Sequence, residues 1–251
     1  MPKLKVSGRE YEVDGILFDK DGTLLEFLPL WGGWAGLMAD QVAGAISSGE
    51  FPVPNEAKRE WLGLEMDDQG RVTGYDREGP LSIASIPEIE GILAWQLYKH
   101  GWAWNEAIAL IRSFRVKAAQ DMERERPVIP VQGLPGFLDQ CSRLSVPLGV
   151  VTADQTAEAV KHLNWMRIKG RFKTIIGSDL VSEGKPSPEI IFKACRDLGI
   201  SPDKAALIGD TGGDMQMGRD AGVAVTIGIG SGGRLPDAKE MISTYDSLII
   251  N

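Results

Sequence analysis

Cysteine is scarce in this chain: only Cys141 and Cys195 occur in 251 residues. Both fall on the apolar face of a helical pattern, where cysteine behaves as a small hydrophobe, and they suggest no disulfide framework. A reducing, cytoplasmic setting is the expectation. Basic charge is also short. The formal net charge is -8, which argues against a generic nucleic-acid or membrane-surface binder, since either would carry a basic patch. A phosphorylated substrate stays compatible, because a bound cation can supply the missing positive charge. The opening "MPKLKVSGRE" lacks the apolar stretch of a signal peptide. No run of about 18 apolar residues exists, so no membrane span is expected. There is no internal repeat and no low-complexity tract.

What is present is a globular composition, 43% hydrophobic and 25% charged, long enough for one large domain or a domain with an insert. "LKVSGREYEV" alternates about Ser7-Gly8 and predicts a hairpin. Continuous apolar runs follow at "GILF", "VPLGVVTAD", "FKTIIGSD", "AALIGD" and "VAVTIGIG". Such runs are the pattern of strands buried on both faces in a parallel sheet. Between them, Leu134, Phe137, Leu138, Cys141 and Leu144 keep helical spacing. "SPEIIFKACRDLG" predicts a helix with Ser187 as N-cap, Pro188 at the first helical position and Gly199 as the stop. Strand and helix alternate after residue 131, which predicts a doubly wound, Rossmann-like α/β core. Residues 26–130 differ. Helical stretches are expected at 30–48, 56–64, 87–99 and 105–125, and six of the seven tryptophans fall there. This predicts a mostly helical unit inserted after the first core strand: core 1–25 and 131–251, insert 26–130.

In a doubly wound sheet, ligands bind outside the carboxyl ends of the strands. Asp19 and Asp21 close the first core strand, Thr152 closes "LGVV", Asp210 closes "AALIG" with Asp214 one turn on, and Lys185 precedes a helix start. These groups are expected to share one crevice. Carboxylates brought together repel unless a cation neutralises them, and oxygen donors without histidine or cysteine favour Mg²⁺. Lys185 and Thr152 suit phosphate oxygens, and Gly22 supplies a turn whose N–H groups can approach an anion. A carboxylate beside a metal-bound phosphate can act as nucleophile, and a second one, two residues on, as acid and base.

Four stretches, "DKDGT" at 19–23, "VVTAD" ending at Asp154, "GKPSPE" with Lys185, and "GDTGGDMQMGRDAG" from Gly209, resemble in order the motifs of the haloacid dehalogenase-like superfamily. The likeness covers about residues 14–27 and 131–230 and is nearest to phosphoglycolate-phosphatase-like members. The insert falls where that superfamily carries its first-type helical cap. The resemblance implies that Asp19 is nucleophile and Mg²⁺ ligand. Asp21 would be the acid/base and would lend its backbone carbonyl to the metal. Thr152, Ala153 and Lys185 would bind the phosphoryl group, and Asp210 would complete the metal site with Asp214 supporting it from behind.

Each motif alone is weak, since paired aspartates near turns are usually solvated or capping; their joint order carries the reading. Asp21 argues against a dehalogenase, which lacks that second acid. A phosphosugar mutase of the β-phosphoglucomutase type shares all four motifs. A phosphonate hydrolase would need a cap lysine, and Lys58 and Lys99 have no special context. A non-catalytic phospho-accepting switch or binding protein is the alternative of another class. Receiver-type switches are shorter by the usual domain-size prior and lack the insert. Asp154 is expected to cap the next helix, His100 to end a helix, and His162 to be exposed. The tryptophans read as packing, with Trp31 or Trp34 placed where one could face substrate. The run holding Arg112 and Arg115 reads as a charged helix face. The expectation is an Mg²⁺-dependent phosphatase of a small phosphorylated metabolite, with no nucleic-acid or membrane partner.

Overall fold

The computed structural model describes residues 2–47, 52–230, 233 and 235–251. The chain starts with the expected hairpin, β1 (Lys3–Val6) and β2 (Arg9–Glu12), turned at Ser7 and Gly8, which both take positive φ. The "GILF" run becomes β3 (Gly15–Phe18), buried at every position. The chain then enters a second unit through a π-helical turn at Leu28–Gly32. There α1 (Gly33–Ile46), α2 (Asn55–Leu62), a hairpin of β4 (Leu64–Met66) and β5 (Val72–Tyr75), α3 (Pro80–Ile83), α4 (Ile86–Lys99) and α5 (Trp104–Glu125) follow. Back in the first unit come α6 (Leu134–Arg143), β6 (Leu148–Val151), α7 (Thr156–Trp165), β7 (Thr174–Ile176), α8 (Glu189–Leu198), β8 (Ala205–Gly209), α9 (Gly212–Ala221), β9 (Val225–Ile229), β10 (Glu240–Ile242) and β11 (Leu248–Ile250). The chain divides into two compact units, Met1–Glu26 with Val128–Asn251, and Phe27–Pro127.

The first unit is a doubly wound, Rossmann-like α/β fold. Its main sheet has the order β10-β9-β8-β3-β6-β7, with every neighbouring pair parallel. A smaller antiparallel sheet, β11-β1-β2, joins the two ends of the chain. Side chains alternate across a strand, and the cores obey that period. Ile16, Phe18, Leu148, Val150, Ala206 and Ile208 pack on one face with α6 and Tyr245. Leu17, Val151, Ala205 and Leu207 pack on the other with α8 and α9. Helix α8 shows why these segments are helices: Ile190, Ile191, Ala194, Cys195 and Leu198 form one buried stripe. Burying each large side chain there contributes about 1.5–3 kcal/mol. Gly199 ends the helix in the left-handed conformation at φ 77°. The start differs by one residue from the expectation. Pro188 lies just outside the helix, and Ser187 Oγ accepts from the Glu189 N–H at 3.3 Å.

The inserted unit is mostly helical, with its own buried core. Trp34 and Trp61 are buried in it, and Trp31 meets Trp34 edge to face at 5.7 Å. Trp95 and Trp104 are half exposed. The expected helix 30–48 is a π-helical turn plus α1, and its last residue, Ser48, lies outside the described residues. The turn and second strand of the β4–β5 hairpin were hidden inside "DDQGRVTGYDREGP", where turn residues outnumber strand formers, and β4 begins at Leu64, the last residue of the helix expected at 56–64. Asp67 Oδ1 accepts from the N–H groups of Gln69 and Arg71 and closes that turn. Arg115 and Arg112 both reach Glu90, at 2.6 and 3.7 Å, which gives the charged face of α5 a structural partner. His100 ends α4 as expected, with Nδ1 2.8 Å from the Gln96 carbonyl oxygen. Among the described residues no helix is long and apolar enough to cross a membrane.

One aromatic group holds the site's side of the main sheet together. Phe18 meets Phe137, Phe172 and Tyr245 with ring centroids 5.9–6.4 Å apart, and Phe137 stacks on Tyr245 at 5.6 Å. Truncating Phe137 removes a buried ring from the middle of this group. Phe137→Ala is expected to lower unfolding free energy by about 3–5 kcal/mol. A urea titration measures it, and a loss below about 1 kcal/mol would contradict a tightly packed core here.

Candidate active site

Parallel register sets which residues meet at the carboxyl edge. Phe18 pairs with Val150 of β6 and with Ile208 of β8. One step further, the Asp19 N–H donates to the Ile208 carbonyl at 2.9 Å. The tips of β6, β3 and β8 therefore end within one residue of one another, carrying Thr152, Asp19 and Asp210. The chain then folds back on itself. The Lys20 carbonyl accepts from the Leu24 N–H at 2.8 Å, and the Gly22 N–H donates to the Leu25 carbonyl at 2.8 Å. Gly22 has φ +76°, and a Cβ built there would lie 2.1 Å from Asp210 Oδ2. The turn thus needs glycine twice over, for its backbone and for the carboxylate against it. Tyr245 braces the same turn from beneath. Its buried hydroxyl donates to the Thr23 carbonyl at 3.1 Å. Burial, with the charges of Asp19 and Asp210, holds its pKa well above the usual phenol range, so it remains a donor.

Carboxylate oxygens of Asp19, Asp210 and Asp214 lie within 4.8 Å of one another. Lys185 joins the group: its ammonium hydrogen-bonds Asp19 Oδ1 and lies 2.7 Å from Asp214 Oδ1. Asp214 is fully buried, and both of its oxygens have structural partners. Oδ2 accepts from the Thr211 hydroxyl at 2.6 Å and the Thr211 N–H at 3.1 Å, while the Asp214 N–H donates back to Thr211 Oγ1 at 3.2 Å. This reciprocal cap opens α9. Thr152 is buried at the end of β6, and its Oγ1 accepts from the Asp154 N–H at 3.2 Å. Ala153, between them, is exposed. Asp19, Lys185, Asp210 and Asp214 are thus brought together, Thr152 stands at the neighbouring strand tip, and the Asp21 carboxylate turns instead to Lys20, with Oδ1 2.6 Å from Nζ.

Two expectations are corrected here. His162 is buried, at 1% exposure, and not on the surface. Helical spacing could not show that its neighbour across the strand tip is a lysine. Asp154 does not cap α7. That part belongs to Asp179, whose Oδ1 accepts from the Thr156 N–H at 2.6 Å, while Asp154 Oδ2 pairs with Lys20 Nζ at 3.0 Å. Sequence reasoning also passed over Lys20 itself, a wholly buried lysine between the two motif aspartates. The signal lay in "FDKDG": a lysine inside an apolar-to-acidic turn has no route to solvent unless it snorkels.

The donor set fits a hard divalent cation. It is all oxygen, it crowds more negative charge than one ammonium can match, and Asp210 occupies the cradle that only a glycine at position 22 leaves open. Electrostatics say the same. Burial, followed by the charges of Asp214 and Asp21 and opposed by Lys185, pushes the Asp19 carboxyl up to about 7. Burial alone would lower the Lys185 pKa, but Asp19 and Asp214 more than offset this and raise it, so the ammonium persists.

A family model described as haloacid dehalogenase-like hydrolase matches residues 79–227. The phosphoglycolate phosphatase of Chromobacterium violaceum is 26% identical over 222 residues, spanning 87% of this chain and 86% of that protein. The N-acetylmuramic acid 6-phosphate phosphatase of Pseudomonas aeruginosa is 25% identical over 222 residues, spanning 85% and 80%. A solved structure of a HAD-superfamily hydrolase, subfamily IA, variant 1, from Geobacter sulfurreducens shares the fold at TM-score 0.64 and 19% identity, covering 96% of each chain. The chain belongs to the haloacid dehalogenase-like hydrolase family and resembles its phosphoglycolate-phosphatase-like members. It is an enzyme of the phosphatase class.

The raised Asp19 pKa makes a stability prediction. An acid whose folded-state value lies above its unfolded value of 3.8 destabilises the fold when ionised, so stability falls as pH rises from about 4 towards about 7. In metal-free buffer, Asp19→Asn is expected to melt higher than the unaltered protein at pH 7.5, with the gain vanishing near pH 4. Thermal denaturation with EDTA at both pH values measures it; an equal offset at both would contradict the assignment.

Proposed function

We propose that this enzyme hydrolyses a small phosphorylated metabolite through an aspartyl-phosphate on Asp19, with Mg²⁺ held by Asp19 and Asp210. Asp214 steadies this pair from behind, and the backbone carbonyl of Asp21 contributes a further oxygen. The observation that carries the reading is the meeting of Asp19, Asp210, Asp214 and Lys185 at the carboxyl tips of adjacent parallel strands. Mg²⁺ supplies charge neutralisation that lets an anionic carboxylate and an anionic phosphate approach.

The protein's own residues do the rest. Lys185 stands against Asp19 and offers N–H donors to the phosphoryl oxygens, while the Thr152 hydroxyl and the backbone of the Thr152–Ala153 turn bound the other side. Asp19 Oδ attacks phosphorus as the P–O bond to the alcohol breaks. Asp21, as the acid, gives its proton to the departing oxygen. The resulting Asp21 carboxylate then takes a proton from water as that water attacks phosphorus. The acyl-phosphate bond breaks, returning its electron pair to Asp19 and releasing inorganic phosphate.

The inserted helical unit is proposed to be the cap that selects the alcohol portion of the substrate. The two relatives act, by name, on phosphate esters as different as phosphoglycolate and a phosphorylated amino sugar. That spread is why the chemistry is assigned to the first unit and the choice of ester to the second. Hydrolysis is preferred to a phosphosugar mutase because both of these relatives are named as phosphatases. A cytoplasmic setting accords with two unpaired, buried thiols.

The test is phosphate release from a panel of esters, with phosphoglycolate, hexose 1-phosphates, hexosamine 6-phosphates and pyrophosphate included. At least one ester is expected to turn over with Mg²⁺ and not with EDTA. Asp19→Asn and Asp21→Asn should each reduce kcat by at least about 10²-fold with the fold intact by circular dichroism. Lys185→Ala should lose most activity. Isomerisation of a hexose 1-phosphate without phosphate release would favour the mutase. Retained activity in Asp19→Asn would refute the nucleophile.

A further inference from the structure

The mechanism above leaves one buried charged group without a task. Lys20 is wholly buried, and three acceptor atoms lie about its ammonium. Asp21 Oδ1 is at 2.6 Å, Asp154 Oδ2 at 3.0 Å and His162 Nδ1 at 3.1 Å. A buried lysine normally loses its proton. Here burial is outweighed by Asp21 and then Asp154, and the pKa is raised. The histidine is held the other way: burial, reinforced by the Lys20 charge, drives it down to about 3. A neutral imidazole whose Nδ1 faces an ammonium must accept there and carry its proton on Nε2. An ammonium has three hydrogens, and the three acceptors come from three separate segments: the turn after β3, the turn after β6, and α7.

Ordinary stability does not call for this arrangement. A buried ion pair gives back in Coulomb energy little more than it loses in desolvation, and a well-packed apolar group often serves as well. Its distinguishing consequence is geometric. Lys20 takes one oxygen of Asp21. Through Asp154 it also engages the turn in which Thr152 Oγ1 accepts the Asp154 N–H. The acid/base and the phosphoryl-binding turn are thereby tied to one point.

We propose that Lys20 is a positioning residue: by clamping Asp21 Oδ1 and joining it to the Asp154 turn, it fixes the carboxyl group that transfers the proton to the leaving alcohol. The proposal rests on the acid/base reading of Asp21. Lys20 touches no substrate and acts through Asp21.

The test separates proton transfer from folding. Lys20→Met alone strands two partly buried carboxylates, so Lys20→Met/Asp154→Asn, which removes one charge of each sign, is the working variant. Its melting temperature checks that it folds. Activity with Mg²⁺ is compared on an alkyl phosphate, whose departing oxygen needs a proton, and on 4-nitrophenyl phosphate, whose departing oxygen does not. The readout is kcat/KM, which reports the steps up to release of the alcohol and leaves out the later hydrolysis common to both esters; the expected loss is about 10²-fold on the alkyl ester and less than about 10-fold on the aryl ester. Asp21→Asn, run beside it, should show the same leaving-group bias. A crystal structure of the double variant should show the Asp21 carboxyl displaced. Equal losses on both esters, no loss, or an unmoved Asp21 would overturn the proposal. If Asp21→Asn itself shows no leaving-group bias, the acid/base reading fails instead.

Discussion

Too much negative charge gathers at the tips of β3 and β8 for the protein alone to neutralise, and most of the local structure answers to that excess. Asp19, Asp210 and Asp214 converge on one ammonium from Lys185. The sheet creates the problem, because parallel strands end together and each of these two ends in an acid. The surrounding elements manage it. Thr211 binds one oxygen of Asp214 into the first turn of α9. Tyr245 holds the turn beyond Asp19. Gly22 lets Asp210 lie close enough to share the cluster. What remains uncompensated appears in the raised Asp19 pKa, which a cation beside that carboxylate would relieve.

Beside it lies a second charged group with a smaller excess of negative charge. Lys20, Asp21, Asp154 and His162 form a cluster around a buried lysine and a buried histidine, in which one cation answers two anions and a neutral ring. The first cluster suits ligands that come and go; the second is internal. That they are adjacent follows from a single tripeptide. Successive residues of "DKD" leave the strand in different directions, so Asp19 joins the Lys185 group while Lys20 is directed towards α7. The two charge systems are thus coupled through one turn of backbone.

The sequence made the core legible because its strands are buried on both faces and read as unbroken apolar runs. β3, β6, β7, β8 and β9 each fall inside the run expected for them. Asp19, Thr152 and Asp210 were legible for a related reason, since each stands directly after such a run. β10 and β11 did not announce themselves: three residues each cannot display a period, and their pairing with β9 and β1 is decided at long range. The hairpin in the insert was masked by turn chemistry. Lys20 and His162 were missed because burial of a charged or titratable side chain depends on what stands opposite it in space, and spacing along a helix does not record that. Asp154 was misread for the same reason, its role as a cap being a local expectation overruled by a distant lysine.

The first unit is sewn shut where the insert departs. Leu25 bridges Pro130, the Glu26 N–H donates to the Ile129 carbonyl at 2.8 Å, and the Val131 N–H donates to the Leu24 carbonyl at 3.1 Å. The two backbone segments are thereby fastened to each other before the excursion begins. The entropy of closing a loop grows only slowly with its length, so the length of the excursion weighs little on the main sheet. A chain built this way can lengthen, shorten or replace its insert over evolutionary time while the strand tips of the first unit keep their register.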